Sequence, residues 1–540
     1  MRITKVTLEN FRSFKAAQTI DLAPITLLFG PNSVGKSSIL MALAYVRQIL
    51  GYGHSDPQHL DSLGRKTIGG FRALVHGQDT ARSIRIRLDF ESGLTPFSYY
   101  DAEVSDMLNH VQARVVLMED FGGSITHGAV DLEIAWSDRY QWAYVREYRV
   151  WINGGYVGCV HSSDDLRNTA IRELNTLHPL LVPLDHQERM EDEGVPHDER
   201  GEHPTEFERV LAQLNPNPVS TAVVADAERV GQQTVNRVAP ISLQCQWGAV
   251  PLLGNPVNTN LIGQEFDQAD EHLNYLAVRQ ALSQAFVLPL DKILNYLENT
   301  IQIGPLRLVP DMDYMPNSHP TQSDWVDGAA AWDLLHQNPE RQSATSALLR
   351  ETNDWLANTD KFNTGYGLVN ESLNQMLGEN ISQAPEIGRL LQKRHLWFKD
   401  QLTGISLSAN QLGTGISQVL PIIVASHYNP ATMVTVEQPE LHIHPRFQVE
   451  LADLFISTCD RHPYLIETHS EHMILRLLRR VREYHENSDG LGLAPDQISI
   501  TYLIPSPDGV IVKRLDVTSD GDFEQKWPGG FFDERDTELF

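Results

Sequence analysis

The sequence predicts an α/β fold with an antiparallel β lobe, a parallel-sheet lobe and a mainly helical insertion. Three observations support this prediction. A short apolar strand near the N-terminus leads through a glycine-rich turn into a helix. Several strand-like segments follow one another from Ser83 to Ile152, and the last third of the chain alternates strands with helices. Such alternation is typical of a parallel sheet covered on both faces.

Composition indicates a globular protein and argues against several other classes. The chain has 540 residues, 41% of them hydrophobic and 21% charged, and a formal net charge of -27. Cys159, Cys245 and Cys459 are far apart and lack CxxC spacing, so neither a disulfide framework nor a cysteine zinc site is expected. No apolar run approaches the roughly 18–20 residues that span a bilayer, and a cytoplasmic location is expected. Because so acidic a chain repels phosphate backbones, indiscriminate DNA binding is not expected.

The first informative element is a phosphate-binding loop. The run Gly30-Pro-Asn-Ser-Val-Gly-Lys-Ser37 matches G-x-x-x-x-G-K-[ST] in full and lies between the strand PITLLFG and a helix. Glycines let backbone N–H groups and the helix N-terminus surround phosphate oxygens. Lys36 is expected to reach the β and γ phosphates, and the Ser37 hydroxyl to bind Mg²⁺. The other members of the expected cradle are Asn32, Ser33, Gly35 and Ser38. The sequence therefore predicts a nucleoside triphosphate site.

Four regions are predicted along the chain. Residues 1–155 form an N-terminal lobe with the phosphate-binding loop and the strand-like stretches SIRIRLDF, ARVVLM, VDLEIAW and YVREYRVWI. Residues 156–300 form a mainly helical insertion, whose acidic segment Asp185–Val210 is interpreted as a solvated loop, with a docking surface for a basic partner as the alternative. Residues 301–395 are predicted to be mainly helical, and residues 396–540 to form the C-terminal lobe.

The C-terminal lobe places functional side chains at the ends of predicted strands. The strand ATMVTV ends in Glu437, an acid suited to orienting a metal and its waters. The strand YLIET delivers His469 at the strand end where α/β sheets present ligands. Residues 410–418, NQLGTGISQ, form a second glycine-rich turn that opens a helix, which predicts a second anion site. Because one nucleotide needs one such site per chain, two sites suggest a nucleotide clamped between two copies.

These motifs, in this order, resemble those of ATP-binding-cassette ATPases of the SMC/RecF type. Lys36 and Ser37 match Walker A, Glu437 and Gln438 match Walker B, His444 falls near the D-loop and His469 matches the switch histidine. The resemblance also assigns a signature loop that contains Gly413, Gly415, Ser417 and Gln418. It further implies roles for Arg12, in TLENFRSFK, near the nucleotide, and for Gln78, in HGQDT, between the metal and the γ-phosphate, although the pattern around Gln78 does not match.

What this resemblance implies is a two-lobed cassette head that binds ATP and Mg²⁺. ATP is then held between Walker A of one copy and the Gly413–Gln418 loop of another, so a homodimer or a higher even oligomer is expected. The pair His442 and His444 could instead suggest a metal site, but no third ligand with suitable spacing lies nearby.

Finer features are similar to the overcoming-lysogenization-defect (OLD) branch of these ATPases. The segments EQPELHIHP, IETHSEHMILRL and GTGISQVLP carry this similarity, and the tail KWPGGFFDERDTELF resembles one on members without an appended Toprim nuclease. Length and layout are further similar to the PtuA family, the ATPases of Septu and retron-linked antiphage systems. This resemblance implies a PtuB-like HNH nuclease partner, a reverse transcriptase with its msDNA in retron-linked systems, and contact with nucleic acid through partners.

Gln438 departs from the cassette pattern, in which the residue after the Walker B acid is usually a glutamate that polarises the attacking water. An amide can position water but cannot accept its proton at neutral pH. Either hydrolysis is slow and ATP mainly locks the dimer, or Glu440 or His469 compensates. We favour slow turnover.

Two function hypotheses follow from these observations. The leading one is an antiphage ATPase that silences or licenses a nuclease according to its nucleotide state. The alternative is a DNA-repair or chromosome-maintenance ATPase that binds DNA directly. The acidity of the chain and the absence of a heptad pattern long enough for coiled-coil arms argue against this alternative.

Overall fold

The computed structural model describes residues 1–53, 55–56, 58, 60, 68–94, 99, 125–176, 178, 180–181, 207–208, 210–211, 220–224, 233–237, 240–246, 248–259, 269–311, 314–337, 343–372, 394–486 and 491–528. The chain divides into two compact units. Unit 1 comprises Met1–Thr19, Tyr45–Gln58 and Ile68–Tyr296, and unit 2 comprises Ile20–Ala44, His59–Thr67 and Leu297–Phe540. The predicted strand ARVVLM, most of the predicted acidic loop and most of the predicted tail motif lie outside the described residues.

Unit 1 is built on an antiparallel sheet. The strands are β1 (Arg2–Glu9), β2 (Gln18–Asp21), β4 (Ile84–Leu94), β5 (Ile125–Ser137), β6 (Trp142–Ile152), β7 (Gly155–Ser162), β8 (Thr169–Leu174), β9 (Ser220–Val224), β10 (Gln233–Arg237) and β11 (Ile241–Ser242). Within the described residues their order is β2-β1-β4-β5-β6-β7-β8-β10-β9, with β11 paired to β8. A short helix, α2 (Phe71–Leu74), and the longer helices α3 (Ala269–Phe286) and α4 (Leu288–Glu298) accompany the sheet.

Strand β4 shows why these residues form a sheet with one buried face. Ile84, Ile86, Leu88 and Phe90 are buried, whereas the arginines and the aspartate between them face the other side, in the period of two that a strand requires. On that second face, Arg85 forms an ion pair of 2.6 Å with Asp131 of the neighbouring strand β5. Cross-strand pairs of this kind help to fix the register.

The expectation of a mainly helical insertion over residues 156–300 does not agree with the described part of that range. Strands β7 to β11 occupy much of it, and apart from helical residues 207–208 and 210–211 the described helices begin at Ala269. The segment Gly155–Ser162, GYVGCVHS, is buried at six of its eight positions because β7 lies between β6 and β8. A buried inner strand is apolar on both faces, so its sequence lacks a clear alternation and is easily mistaken for part of a helical region.

Unit 2 contains the second, mostly parallel sheet. Its strands are β3 (Ile25–Phe29), β12 (Thr300–Ile303), β16 (Met433–Glu437), β17 (Tyr464–Glu467), β18 (Ile498–Ser506) and β19 (Gly509–Leu515). Their order in the described part of the chain is β12-β16-β17-β3-β18-β19, and only the β18–β19 pair is antiparallel. The prediction of an α/β fold with an antiparallel lobe and a parallel-sheet lobe is confirmed.

Helices surround this sheet and share its apolar interior. They are α5 (Ala329–His336), α6 (Ser343–Ala357), α7 (Thr414–His427), α8 (Pro445–Thr458) and α9 (Glu471–Glu486). Helix α1 (Lys36–Tyr52) begins in unit 2, and its residues from Tyr45 onward belong to unit 1. Leu27 of β3, Ile423 of α7, Leu454 of α8 and Leu477 of α9 belong to one cluster of buried residues. None of the described helices has both the length and the apolar composition needed to cross a membrane.

A small third sheet precedes α7. It consists of β13 (Tyr366–Ser372), β14 (Arg394–Asp400) and β15 (Ser406–Leu407) in that order. The segment LWFKDQLTGISLS (residues 396–408) reads as strand in sequence, but a turn between β14 and β15 interrupts it. The Asp400 carboxylate accepts the N–H groups of Leu402 and Thr403, and Gly404 adopts a left-handed φ of 72°, which reverses the chain.

The parallel register places three strand ends at one edge of unit 2. Glu437 of β16 pairs with Glu467 of β17, and Glu467 pairs with Leu28 of β3, directly before the phosphate-binding loop. Because parallel strands run in the same direction, their carboxyl ends meet at this edge. This edge therefore carries the phosphate-binding loop, Glu437 and Glu467.

Candidate functional site

The phosphate-binding loop leaves β3 through a turn that needs glycine. Gly30 has a φ of 141°, and a Cβ atom on it would lie 2.6 Å from the carbonyl oxygen of Leu503. Gly35 has a φ of 120° and Ser33 a φ of 63°, so the chain curls before α1 begins at Lys36. Gly35 accepts the N–H of the buried Ser38, whereas Asn32 and Ser33 are exposed. The loop therefore presents main chain at a helix N-terminus, where anions bind.

Lys36 lies folded across its own loop. Its Nζ donates to the carbonyl oxygens of Gly30, at 2.8 Å, and Pro31, at 3.0 Å. The residue is only 3% exposed. Burial lowers the pKa of Lys36, and the negative charges of Glu467 and Glu440 partly oppose that change. This ammonium group is therefore available to phosphate oxygens once it leaves the two carbonyl groups.

A carboxylate that the sequence argument did not select contacts the loop. The Ser37 hydroxyl donates to Oε2 of Glu467 at 2.7 Å, and Nζ of Lys36 lies 3.9 Å from Oε1 of the same residue. Glu467 ends strand β17, near which only His469 was predicted as a site residue. An acid at the end of the strand beside β3 is a detectable signal, but only when the order of the strands is known.

Glu437 lies where the Walker B assignment expects it, at the end of β16. It is 7% exposed, and Nε2 of Gln302 on β12 donates to its carboxylate at 3.4 Å. Glu437 and Glu467 are register partners on adjacent strands. Side chains of register partners point to the same face of a sheet, and neighbouring strands lie about 4.8 Å apart. The two carboxylates are therefore close neighbours.

The turn after Glu437 is bonded to the end of β17. Gln438 has a left-handed φ of 45°, and its N–H donates to the carbonyl oxygen of Glu467 at 2.7 Å. The Glu440 carboxylate accepts the hydroxyl of Thr468 and the N–H of His469, both at 2.7 Å. These bonds fix the positions of Gln438 and Glu440 relative to the loop.

His469 is half-buried, and its Nε2 has no hydrogen-bond partner among the described residues. Burial and the positive charge of Lys36 lower its pKa, while the charge of Glu467 opposes them. The imidazole is therefore neutral at pH 7. A neutral ring can donate to or accept from a phosphate or a water.

The side chains around this turn line a pocket of about 480 Å³. Its lining residues are Pro31, Asn32, Gln438, Glu440, Leu441 and His469. The volume lies within the range of roughly 300–1,000 Å³ that is usual for small-molecule sites. The structure thus brings the loop, the turn after Glu437 and the predicted switch histidine together.

The second glycine-rich turn differs from its predicted form. Gly413 and Thr414 are exposed at the N-terminus of α7, and Gly415 is half-buried. Ser417 and Gln418, predicted as nucleotide contacts, are buried instead. The Ser417 hydroxyl donates to the carbonyl oxygen of Ala409 at 3.2 Å. Because α7 begins at Thr414, residues 417 and 418 lie one turn inside the helix, on its buried face.

Arg307 connects this helix to the turn after Glu437 and was also missed by the sequence argument. Its guanidinium donates to the carbonyl oxygens of Gln418, at 3.3 Å, Glu437, at 3.0 Å, and Gln438, at 3.2 Å. Burial lowers its pKa to about 10, against the raising effect of Glu440 and Glu437. Arg307 therefore remains charged at pH 7 in the interior of unit 2.

Two predicted residues, Arg12 and Gln78, belong to unit 1, whereas the phosphate-binding loop belongs to unit 2. Arg12 has a φ of 51°, its N–H donates to the carbonyl oxygen of Leu74 at 2.7 Å, and burial lowers the pKa of its side chain. Gln78 is exposed, with a φ of 58°. Their predicted roles at the nucleotide stay predictions.

The histidines after Walker B do not form a metal pair with a third ligand. His442 and His444 are both exposed, and Nδ1 of His444 accepts the N–H of Arg446 at 3.2 Å, which caps α8. Across the described residues there is no group of three or more His, Cys, Asp and Glu side chains placed to hold a metal ion.

A family model described as "AAA ATPase domain" matches residues 1–77 and 323–474, which contain the phosphate-binding loop, Glu437 and His469. The matched residues make up less than half of the chain. No curated protein matches. The chain therefore carries an ATPase-type domain, which implies binding of a nucleotide together with a divalent metal.

Several solved structures of SMC head domains are distantly similar. An SMC head bound to the C-winged helix domain of ScpA has a TM-score of 0.39 at 10% identity, covering 96% of this chain and 98% of that one. The SMC head domain from Thermotoga maritima has a TM-score of 0.35 at 8% identity, covering 96% and 100%. A Pyrococcus furiosus Smc head with an extended coiled coil, bound to the C-terminal domain of ScpA, has a TM-score of 0.35 at 10% identity, covering 95% and 96%.

The side chains at the sheet edge fit a magnesium nucleotide. Mg²⁺ prefers oxygen ligands and is usually bound through one or two carboxylates, phosphate oxygens and water. Ser37, Glu437 and Glu467 supply a hydroxyl and two carboxylates, and Lys36 supplies a cation for the phosphates. The donor set of hydroxyl and carboxylate oxygens is therefore suited to ATP with Mg²⁺.

Proposed function

We propose that this chain is an ATP-binding switch that hydrolyses ATP slowly and regulates a partner nuclease in bacterial antiphage defence. The observation that carries the proposal is Gln438. It follows Glu437 directly, it is held by a hydrogen bond to the end of β17, and it lines the pocket beside the phosphate-binding loop. An amide at this position orients water without taking its proton.

Each residue of the site has a role in this proposal. Lys36 exchanges the carbonyl groups of Gly30 and Pro31 for phosphate oxygens, and the N-terminus of α1 contributes its unpaired N–H groups. Bound magnesium would neutralise phosphate charge, with Ser37 and Glu437 positioned to hold it. Gln438 orients a water, and neutral His469 contributes a hydrogen bond at the phosphate end of the pocket.

The exposed N-terminus of α7 supports a nucleotide shared between two copies of the chain. The first N–H groups of a helix have no partner within the helix and carry a partial positive charge. At α7 these groups belong to Gly413 and Thr414, which are exposed and therefore accessible to a phosphate of another copy. A homodimer, or a higher even oligomer, would close both sites by symmetry.

The partner in this proposal is a PtuB-like HNH nuclease, with a retron reverse transcriptase and its msDNA as further candidates. Support comes from the resemblance of the cassette motifs to the PtuA family and from the net charge of -27. A strongly acidic chain is poorly suited to holding a phosphate backbone itself. Nucleic acid would then be reached through the partner.

The test uses the purified full chain and its Lys36→Ala variant. We expect ATP with Mg²⁺ to bind the parent and to convert it to a dimer or larger even oligomer on size-exclusion chromatography, whereas the variant does neither. Steady-state phosphate release from the parent should be far slower than that of a motor ATPase. Rapid turnover would contradict the switch. ATP-dependent DNA binding that weakens steeply with salt would favour the DNA-repair alternative.

A further inference from the structure

The carboxylate of Glu467 is bonded to the two side chains that a phosphate-binding loop uses for its ligand. Ser37 donates its hydroxyl to this carboxylate at 2.7 Å, and the Lys36 ammonium lies 3.9 Å from its other oxygen. The Lys36 and Glu467 side chains are only 2% and 8% exposed. Water therefore screens this arrangement weakly.

Such an anion affects free and magnesium-bound ATP differently. The triphosphate without metal carries several negative charges, which must approach the Glu467 carboxylate to reach Lys36. Like charges at short range in a poorly solvated site repel strongly. A divalent cation placed between the phosphates and the carboxylate would turn this repulsion into attraction, because carboxylate oxygens are among the ligands that Mg²⁺ accepts.

The position of Glu467 beside Glu437 strengthens this argument. The two residues are register partners at the ends of adjacent parallel strands, so both carboxylates lie on one face at the edge that carries the loop. Glu437 is the acid that the Walker B pattern identifies. Glu467 supplies a second acid, and it accepts a hydrogen bond from the Ser37 hydroxyl expected to bind the metal.

We propose that Glu467 is a metal gate: it occupies Ser37 and Lys36 while the site is empty, and it admits the triphosphate only together with a divalent cation. The inference rests on the proposed nucleotide-binding function. It concerns a residue outside the Walker A and Walker B patterns and makes ATP binding depend strongly on metal. Removing the charge of Glu467 should therefore improve the binding of metal-free ATP.

The experiment compares the full-length parent with Glu467→Gln and with Asp460→Asn, a matched change of charge at an exposed position. The Kd of ATP is measured by isothermal titration calorimetry with excess Mg²⁺ and again with EDTA. We expect the parent to bind ATP about 100-fold more tightly with Mg²⁺. In Glu467→Gln this ratio should fall at least about tenfold, mainly through tighter metal-free binding. Asp460→Asn should behave as the parent does.

An unchanged ratio in Glu467→Gln, with ATP binding intact, would overturn the gate while leaving nucleotide binding in place. A parent that fails to bind ATP with Mg²⁺ would instead contradict the proposed function. If Glu467→Gln does not fold, Glu467→Ala replaces it, since alanine also removes the negative charge beside Ser37 and Lys36. Its ratio should also fall, and a parental ratio in this variant would overturn the gate. A purely structural ion pair would change the unfolding midpoint but not this ratio.

Discussion

Substituting Arg307 tests whether the second glycine-rich turn and the turn after Glu437 are structurally connected. The residue is 5% exposed, and within the described part of the chain no acidic side chain lies within salt-bridge distance of it. Its bonds go to main-chain carbonyl groups of Gln418 on α7 and of Glu437 and Gln438. Nε2 of Gln418 returns a bond to the Arg307 carbonyl oxygen at 2.9 Å. The guanidinium therefore ties α7 to the turn that carries Gln438.

The change Arg307→Met removes this connection while preserving much of the side-chain volume. A hydrogen bond from a charged donor contributes about 1.5–3 kcal/mol, and three are lost. Removing the buried charge recovers several kcal/mol of desolvation cost. The difference leaves an expected decrease of about 2–4 kcal/mol in the free energy of unfolding. Arg307→Lys keeps the charge but not the forked donor, so a smaller decrease is expected.

Arg307→Met should affect ATP binding and ATP-driven oligomerisation differently. ATP with Mg²⁺ should bind Arg307→Met within about threefold of the parent, because Lys36 and Ser37 are unchanged, while ATP-driven oligomerisation should weaken at least tenfold. Urea unfolding followed by tryptophan fluorescence measures the free energy of unfolding. Sedimentation with ATP measures the ATP-driven oligomerisation. Arg482→Met, at an arginine side chain that is 51% exposed, is the matched control and should stay within about 0.5 kcal/mol of the parent. Parental unfolding and parental ATP-driven oligomerisation in Arg307→Met would refute the coupling.

Three further predictions follow from single positions. Gln438→Glu restores a proton acceptor and should raise the rate of phosphate release about tenfold or more without changing the Kd of ATP; an unchanged rate would mean that the acceptor is supplied elsewhere. Gly30→Ala places a Cβ atom 2.6 Å from the Leu503 carbonyl oxygen, so ATP binding should be lost and the unfolding midpoint should fall. Gly367→Ala is the control and should retain ATP binding, because the atom nearest to its Cβ would be 3.9 Å away. Burial lowers the pKa of His462 to about 4, so this histidine binds a proton more readily in the unfolded chain than in the folded one. The free energy of unfolding should therefore fall by up to about 3 kcal/mol as the pH drops from 6.5 to 4. His462→Phe should flatten this part of the profile of urea midpoint against pH.

The parts of the site that follow from sequence are those encoded by local pattern. The phosphate-binding loop is continuous, and a strand before it and a helix after it are visible in the same stretch of chain. Glu437 and His469 are each recognisable because an apolar strand ends at or just before them. Parallel strands then bring their ends to one edge, which is a rule of the fold and needs no side-chain detail.

The residues that were missed depend on contacts between distant segments. Ser37 and Glu467 are bonded although they are 430 positions apart, and Arg307 reaches Gln418 over 111 positions. Neither contact can be deduced before the strand order and register are known. The burial of Ser417 could not be predicted for a different reason: a motif match assigns residues by their position in the pattern, whereas the start of α7 decides which of them are buried.

The slow turnover proposed here depends on whether a neighbour of Gln438 replaces the missing proton acceptor. Both carboxylate oxygens of Glu440 accept hydrogen bonds from the end of β17, which hold the carboxylate in place and leave it fewer free lone pairs for a water. Nε2 of His469 has no hydrogen-bond partner among the described residues, but burial and the positive charge of Lys36 both lower the pKa of His469, so a proton taken from water would be held weakly there. Burial, assisted by the ammonium group that attracts the triphosphate, thus makes this imidazole a poor base. In the proposed function, nucleotide binding and slow hydrolysis therefore both depend on the charges around this site.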